Sequence, residues 1–193
     1  FSFVNGDDIR RACAVGGRDK TRLVYNADYN DHVRVYDLTP NADGSALLEI
    51  LVIAPANLLG ADWRLGDPLG PWRDEVTRVR LTAEQARPIR DALADSGLFG
   101  ETPTGLRLPS DEYYWVAAAC RDGVMHFNAW RYPSERYRAL TFDAALARVD
   151  ITGVEIPEPL PRRARPMGWK AGEDEDAFEL MVGDNGLVGE RGG

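Results

Sequence analysis

An Asp-Gly pair at positions 122 and 123 separates two apolar runs, Tyr113–Cys120 and Val124–Trp130. Few local patterns restrict a chain so tightly, because Asp-Gly accepts the positive backbone angles of a two-residue turn whose twist matches that of paired strands. The predicted element is a β-hairpin in which Arg121 opposes Val124, Cys120 opposes Met125 and Ala119 opposes His126. Strand alternation then sorts its residues onto two surfaces. One carries Tyr114, Val116, Ala118, Cys120, Met125, Phe127 and Ala129 and is apolar enough to be core.

The other surface carries Tyr113, Trp115, Ala117, Ala119, His126, Asn128 and Trp130. Two alanines between aromatic and polar groups give it the character of a shallow groove with aromatic walls, so Trp115, His126, Asn128 and Trp130 are candidate binding residues. The plainer reading is that a helix, a long loop or the tail covers this face, since a sheet with an aromatic second face usually gains another layer.

The same register bears on chemistry. Cys120 and His126 are the one pairing of thiol and imidazole that could make a nucleophile and base, and a two-residue turn sends them to opposite faces. A three-residue loop would bring them diagonally together. The other histidine, His32, follows Asp28, Asn30 and Asp31, a composition a metal site uses and a hairpin turn demands; the turn is the simpler account. Asn41, Asp43 and Gly44 imitate part of a calcium loop, but Thr39 and Ile50 occupy two principal ligand positions, so no metal is expected there. Gly-x-Ser-x-Gly, His-Glu-x-x-His, a phosphate loop and a dinucleotide fingerprint are all missing from the sequence, and no cofactor is implied.

The remaining elements follow from similar local grammar. Leu23–Asn26 and Val33–Leu38 read as a hairpin, and the nearly continuous apolar run Leu47–Ala54 as a central strand covered on both faces. A strand is expected from Glu75 to Leu81. Between these lies a Gly- and Pro-rich stretch, 57–74, containing Trp63 and Trp72, a composition of long functional loops and a second place for aromatic contacts. Residues 82–96 form the clearest helix: Thr82 and Gln85 make a capping box, Gly97 follows the last turn, and Ala86, Ile89 and Leu93 form one stripe. Pro88 should bend that helix or shorten its start. Thr141–Val149 reads as a short helix with Asp143 as its cap.

Pro157, Pro159, Pro161 and Pro166 end the compact body, so residues 1–156 are expected to form an α+β domain and 157–193 a Pro-rich connector with an acidic arm. That arm has hairpin grammar, Phe178–Val182 and Leu187-Val188 around Gly183-Asp184-Asn185-Gly186. From Glu173 to Glu190 it holds seven acidic residues and no basic one, which suits either a docked hairpin or a solvated tail.

Charge and cysteine count narrow the function. A net charge of −8 repels phosphate backbones and anionic headgroups, so nucleic acid and membrane surfaces are poor partners for what should be a soluble chain. The longest apolar run is too short and too interrupted to span a bilayer. The chain begins Phe1-Ser2-Phe3 without an initiator Met, as after removal of a leader or a cut at that point. Its two cysteines, Cys13 and Cys120, can make one disulfide, which periplasmic or secreted export would favour. The expectation is an α+β protein with a largely antiparallel sheet on one main helix. Its function reads best as non-enzymatic binding of a protein or small molecule. The alternatives are a thiol enzyme or hydrolase using Cys120 and His126, and an accessory subunit of a larger assembly.

Overall fold

The structure is a computed structural model that describes residues 3–29, 31–53, 76–160 and 178–188. Trp63 and Trp72 lie outside the described residues, as do Pro161, Pro166 and the acidic run Glu173–Asp176. The fold is α+β. Strands β1 (Lys20–Ala27), β2 (Val33–Pro40), β3 (Ala46–Ile53), β4 (Thr77–Leu81), β6 (Tyr113–Arg121) and β7 (Val124–Arg131) form one sheet in the order β4-β3-β2-β1-β6-β7, antiparallel throughout. Strands β5 (Arg107–Pro109), β8 (Glu179–Gly183) and β9 (Gly186–Val188) form a second, small sheet in the order β5-β8-β9.

The β6–β7 hairpin has the register that its turn dictates. Arg121 pairs with Val124 and Ala119 with His126, and Asp122 and Gly123 take φ of 51° and 76°, the left-handed angles that Asp-Gly accepts at low cost. The hairpin is bounded on one side by the sheet and on both faces by further layers.

Helix α2 (Ala83–Asp95) covers one face. Thr82 and Gln85 make the reciprocal capping box, and Gly97 at φ 78° reverses the chain after the last turn. Ala86, Ile89, Ala92 and Leu93 are buried against Leu48, Ile50, Trp115 and Trp130 with the short helix α4 (Phe142–Ala147). Pro88 does not shorten the start of α2, which runs from Ala83 through it. It lies on the exposed side, where water can satisfy the carbonyl that loses its N–H partner. Asp143 departs from the sequence expectation: Thr141 holds the N-cap position of α4 and no side chain caps it, while Asp143 accepts from the next residue's N–H, Ala144, at 2.8 Å.

The opposite face is covered by helix α1 (Asp7–Ala14) and the small sheet. Leu108, Leu180, Val182 and Leu187 pack against Val24, Val116, Ala118 and Phe127, so the C-terminal hairpin β8–β9 is a docked layer. Its two-residue turn, Asp184-Asn185, joins Gly183 to its partner Gly186. Helix α1 begins at Gly6, φ 69°, where an added Cβ would lie 2.4 Å from the Ala118 Cβ; only glycine permits both the backbone angle and this approach to β6. Farther along α1, a disulfide joins Cys13 to Cys120 with Cα atoms 5.5 Å apart and a sequence separation of 107. Closing so long a loop removes about 4.7 kcal/mol of unfolded-chain entropy in the simplest model.

Strand β3 is not central, as its apolar run suggested. It lies second from the edge, between β2 and β4. Ala46, Leu48 and Ile50 are buried whereas Leu47, Glu49 and Leu51 are half-buried, because α1 and the small sheet pack chiefly over β1, β6 and β7.

A buried polar strap closes the other end of the core. Arg34, fully buried on β2, forms an ion pair with Asp150, which also accepts from Tyr36 Oη at 2.7 Å and Thr152 Oγ1 at 2.6 Å. The guanidinium further donates to the Val154 carbonyl at 2.7 Å and to His32 Nε2 at 3.3 Å. Tyr25 Oη reaches the Pro157 carbonyl at 2.7 Å. Taking both ions out of water is costly, and these additional bonds offset it.

Candidate functional site

The second face of the hairpin is not an open groove. Trp115 and Trp130 are 3% and 1% exposed and Asn128 is fully buried, because α2, α4 and the chain leaving α2 form a layer above them. Both tryptophans meet Phe142 edge-on with centroids 5.2 Å apart, and Tyr25 stacks on Trp115 at 4.7 Å. As direct contacts for a ligand, Trp115, Asn128 and Trp130 are therefore corrected to core. His126 is half-buried at the rim and meets the Phe99 ring edge-on at 5.1 Å. Burial, helped by the Arg121 charge, holds its pKa below the usual histidine value.

Nor do Cys120 and His126 form a dyad. They occupy opposite faces, and the Cys120 sulfur is bonded to Cys13, so the pair cannot act as nucleophile and base. His32 lies in a turn closed by Asp31 and His32 N–H donors on the Asp28 carbonyl, 2.8 and 2.9 Å. Its ring, 5% exposed, accepts from Arg34. Burial, then the neighbouring Arg34 charge, push its pKa down to about 4.

What Asn128 and Trp130 do instead is position the 96–104 segment. The Asn128 amide donates to the Gly97 carbonyl at 2.8 Å and the Glu101 carbonyl at 3.3 Å, and Trp130 Nε1 donates to the Ser96 carbonyl at 3.1 Å. Thr102 Oγ1 donates to the Phe127 carbonyl at 2.9 Å. A loop that would otherwise move freely is thereby tied to the sheet at four points.

The wall facing this loop comes from helix α3 (Glu135–Arg138), whose first turn is capped by Ser134 accepting from Tyr137 N–H at 3.0 Å. It delivers Arg136 across the edge of β7. The guanidinium donates to the Ala129 carbonyl at 3.1 Å and to Asn128 Oδ1, and its carbon lies 5.3 Å from the Trp130 ring centre. Burial lowers its pKa. Among the described residues it forms no ion pair, so a half-buried charge is held by neutral groups alone. Arg136, Gly97 and residues 100–104 line a groove of about 570 Å³, within the usual size range for ligand sites, roughly 300 to 1,000 Å³.

A second depression, about 220 Å³, lies between α1 and β1. Most of its charges are already engaged: Asp8 pairs with Arg22, Lys20 with Asp37, and Asp19 accepts from Asp122 N–H at 3.0 Å, while Arg18 is exposed. The Arg136 groove, larger and lined by a half-buried rather than an exposed arginine, is the better candidate. The sequence pointed to Asn128 and Trp130, which hold the segment that lines it, but not to Arg136.

The free edge of β7 is closed to a further strand. Its carbonyls at Met125, Phe127 and Ala129 accept from Asn185 Nδ2 at 3.2 Å, Thr102 Oγ1 at 2.9 Å and Arg136 Nη1 at 3.1 Å. At the other end of the sheet, β4 presents Arg78 and Arg80, charges that discourage edge pairing. No helix among the described residues is long and apolar enough to cross a membrane. Comparison with known protein families, curated proteins and solved structures finds no match to this chain.

Proposed function

We propose that the chain is a non-enzymatic binding or interaction protein of an oxidising compartment, periplasmic or extracellular, and that it meets its ligand at the groove beside Arg136. The observation that carries this reading is the half-buried guanidinium with no carboxylate partner among the described residues. Burying part of a cation beside neutral acceptors costs free energy, and a ligand anion would recover it. The Cys13–Cys120 bridge supports the compartment, since structural disulfides persist where thiols are not kept reduced. Strand addition is a poor alternative mode, because the carbonyls of β7 are already bonded.

Site-specific crosslinking tests the reading. A photoreactive amino acid placed at Glu101 in the full chain, expressed in its native host, should yield a crosslinked product that disappears when Arg136→Gln is added. The same photoreactive residue at Val15, which is 84% exposed on the far side of α1, should not yield it. A product that survives Arg136→Gln, or that appears equally from position 15, would sink the proposal.

A further inference from the structure

We infer that the group received by this groove is a single carboxylate, from a small acid or a peptide C-terminus; the inference rests on the groove being the binding site. An arginine carries five N–H donors in a planar fork and no acceptor. Arg136 commits one to the Ala129 carbonyl and one to Asn128 Oδ1, which leaves three, more than a bidentate contact requires. Other anchored arginines of the sheet already have their carboxylates: Arg22 has Asp8 and Asp37, Arg34 has Asp150 and Arg131 has Glu112. Arg136 has the same anchoring without the acid.

The form of the anion follows from what surrounds the fork. The Trp130 ring and the two acceptors fix the position of the guanidinium, and a fixed planar fork matches the two coplanar oxygens of a carboxylate. A phosphate has further oxygens to satisfy, and the groove offers them little. The Thr102 and Thr104 hydroxyls donate to the Phe127 and Gly183 carbonyls, and no other cationic side chain lines the walls. Glu101 lines the groove as well, and the chain's net charge of −8 adds to the repulsion of any multiply charged ligand. One negative charge is therefore tolerated where two or more are not.

The test is a ¹⁵N NMR titration of the full chain, following the Arg136 Nε–H and Trp130 Nε1–H signals. The probes are acetate, N-acetyl-trialanine, its C-terminal amide and methyl phosphate, all at constant ionic strength. Saturable shifts of both signals with the two free acids, and none with the amide or methyl phosphate, are expected. Tripeptide binding about tenfold or more tighter than acetate would identify a peptide terminus as the source, and equal affinities a small acid; either outcome supports a carboxylate site. Arg136→Lys, which keeps the charge but removes the fork, should weaken the acid at least about tenfold. It also decides the matter if Arg136→Gln does not fold. No saturable shift with either acid, methyl phosphate binding as tightly as the acids, or undiminished binding by Arg136→Lys would overturn the inference. A crosslink from position 101 that depends on Arg136 but is not competed by these acids would overturn the carboxylate alone and leave the groove as the site.

Discussion

Arg34 and Arg136 are both arginines held against the same sheet, and they differ in what holds them. Arg34 is fully buried, paired with Asp150 and bonded to the His32 and Thr152 side chains and to the Val154 and Glu155 carbonyls. Arg136 is half-buried, bonded to a carbonyl and an amide oxygen and laid over a tryptophan, with no ion pair among the described residues although Glu101 lines the same groove. In the first case all the guanidinium's charge is spent inside the molecule, fastening residues 150–155 to β2. In the second the backbone is fastened by fewer bonds and the charge is left facing a groove. Anchoring and neutralisation are separable, and only an arginine that is anchored and not neutralised is prepared to recognise something else.

The largest effect expected from breaking this contrast is at Arg34. Arg34→Ala leaves Asp150 buried without its cation, and urea denaturation should show a loss of about 3 to 5 kcal/mol. A loss under about 0.5 kcal/mol, the usual value for a surface change, would mean that the pair is not the fastening described.

A pH titration should separate the two regions next. His32 lies against Arg34 and near the Asp150 charge, and its folded pKa of about 4 is below the unfolded value of 6.5. The unfolded chain therefore takes up the proton first. Stability from this group is complete above pH 6.5, declines as the pH falls toward 4 and is exhausted below it. The decline should be on the order of 1 to 2 kcal/mol once partial solvent access is allowed for. His32→Gln should flatten the stability curve in that window. An unchanged curve would show that the imidazole does not titrate against the strap.

Arg136 should give the smallest change in stability. Arg136→Gln removes exposed-edge hydrogen bonds and a ring contact, worth about 1 kcal/mol together, measured by the same denaturation. A loss as large as that at Arg34 would make Arg136 a structural fastening too and would erase the distinction.

Much of the fold was legible because its determinants are local. Asp122-Gly123 set a register that reached from Arg121 to Trp130, and Thr82, Gln85 and Gly97 bounded α2. What was not legible depends on distant partners. Arg34 and Asp150 are 116 residues apart, and nothing near either residue announces the other. Strand β5 is three residues long and includes Pro109; it exists because Leu108 is buried and β8 pairs with it, not because its sequence favours a strand. The same limit applies to the site. Asn128 and Trp130 were recognisable as one face of a hairpin, but that the 96–104 segment would cover them is a tertiary outcome. Arg136 carries no local mark at all, since what separates it from Arg22, Arg34 and Arg131 is the lack of an ion pair in three dimensions.

The side chains that bond the outer carbonyls of β7 come from three separate places: Asn185 from the last turn, Thr102 from the loop after α2 and Arg136 from α3. One of these guards, Arg136, also lines the groove, so a single guanidinium belongs both to the sealed edge and to the candidate site. A ligand that binds while Arg136 keeps its hold on the Ala129 carbonyl leaves the strand sealed. One that draws the guanidinium outward frees the Ala129 carbonyl alone, while Asn185 and Thr102 stay on the Met125 and Phe127 carbonyls and keep the rest of the edge closed.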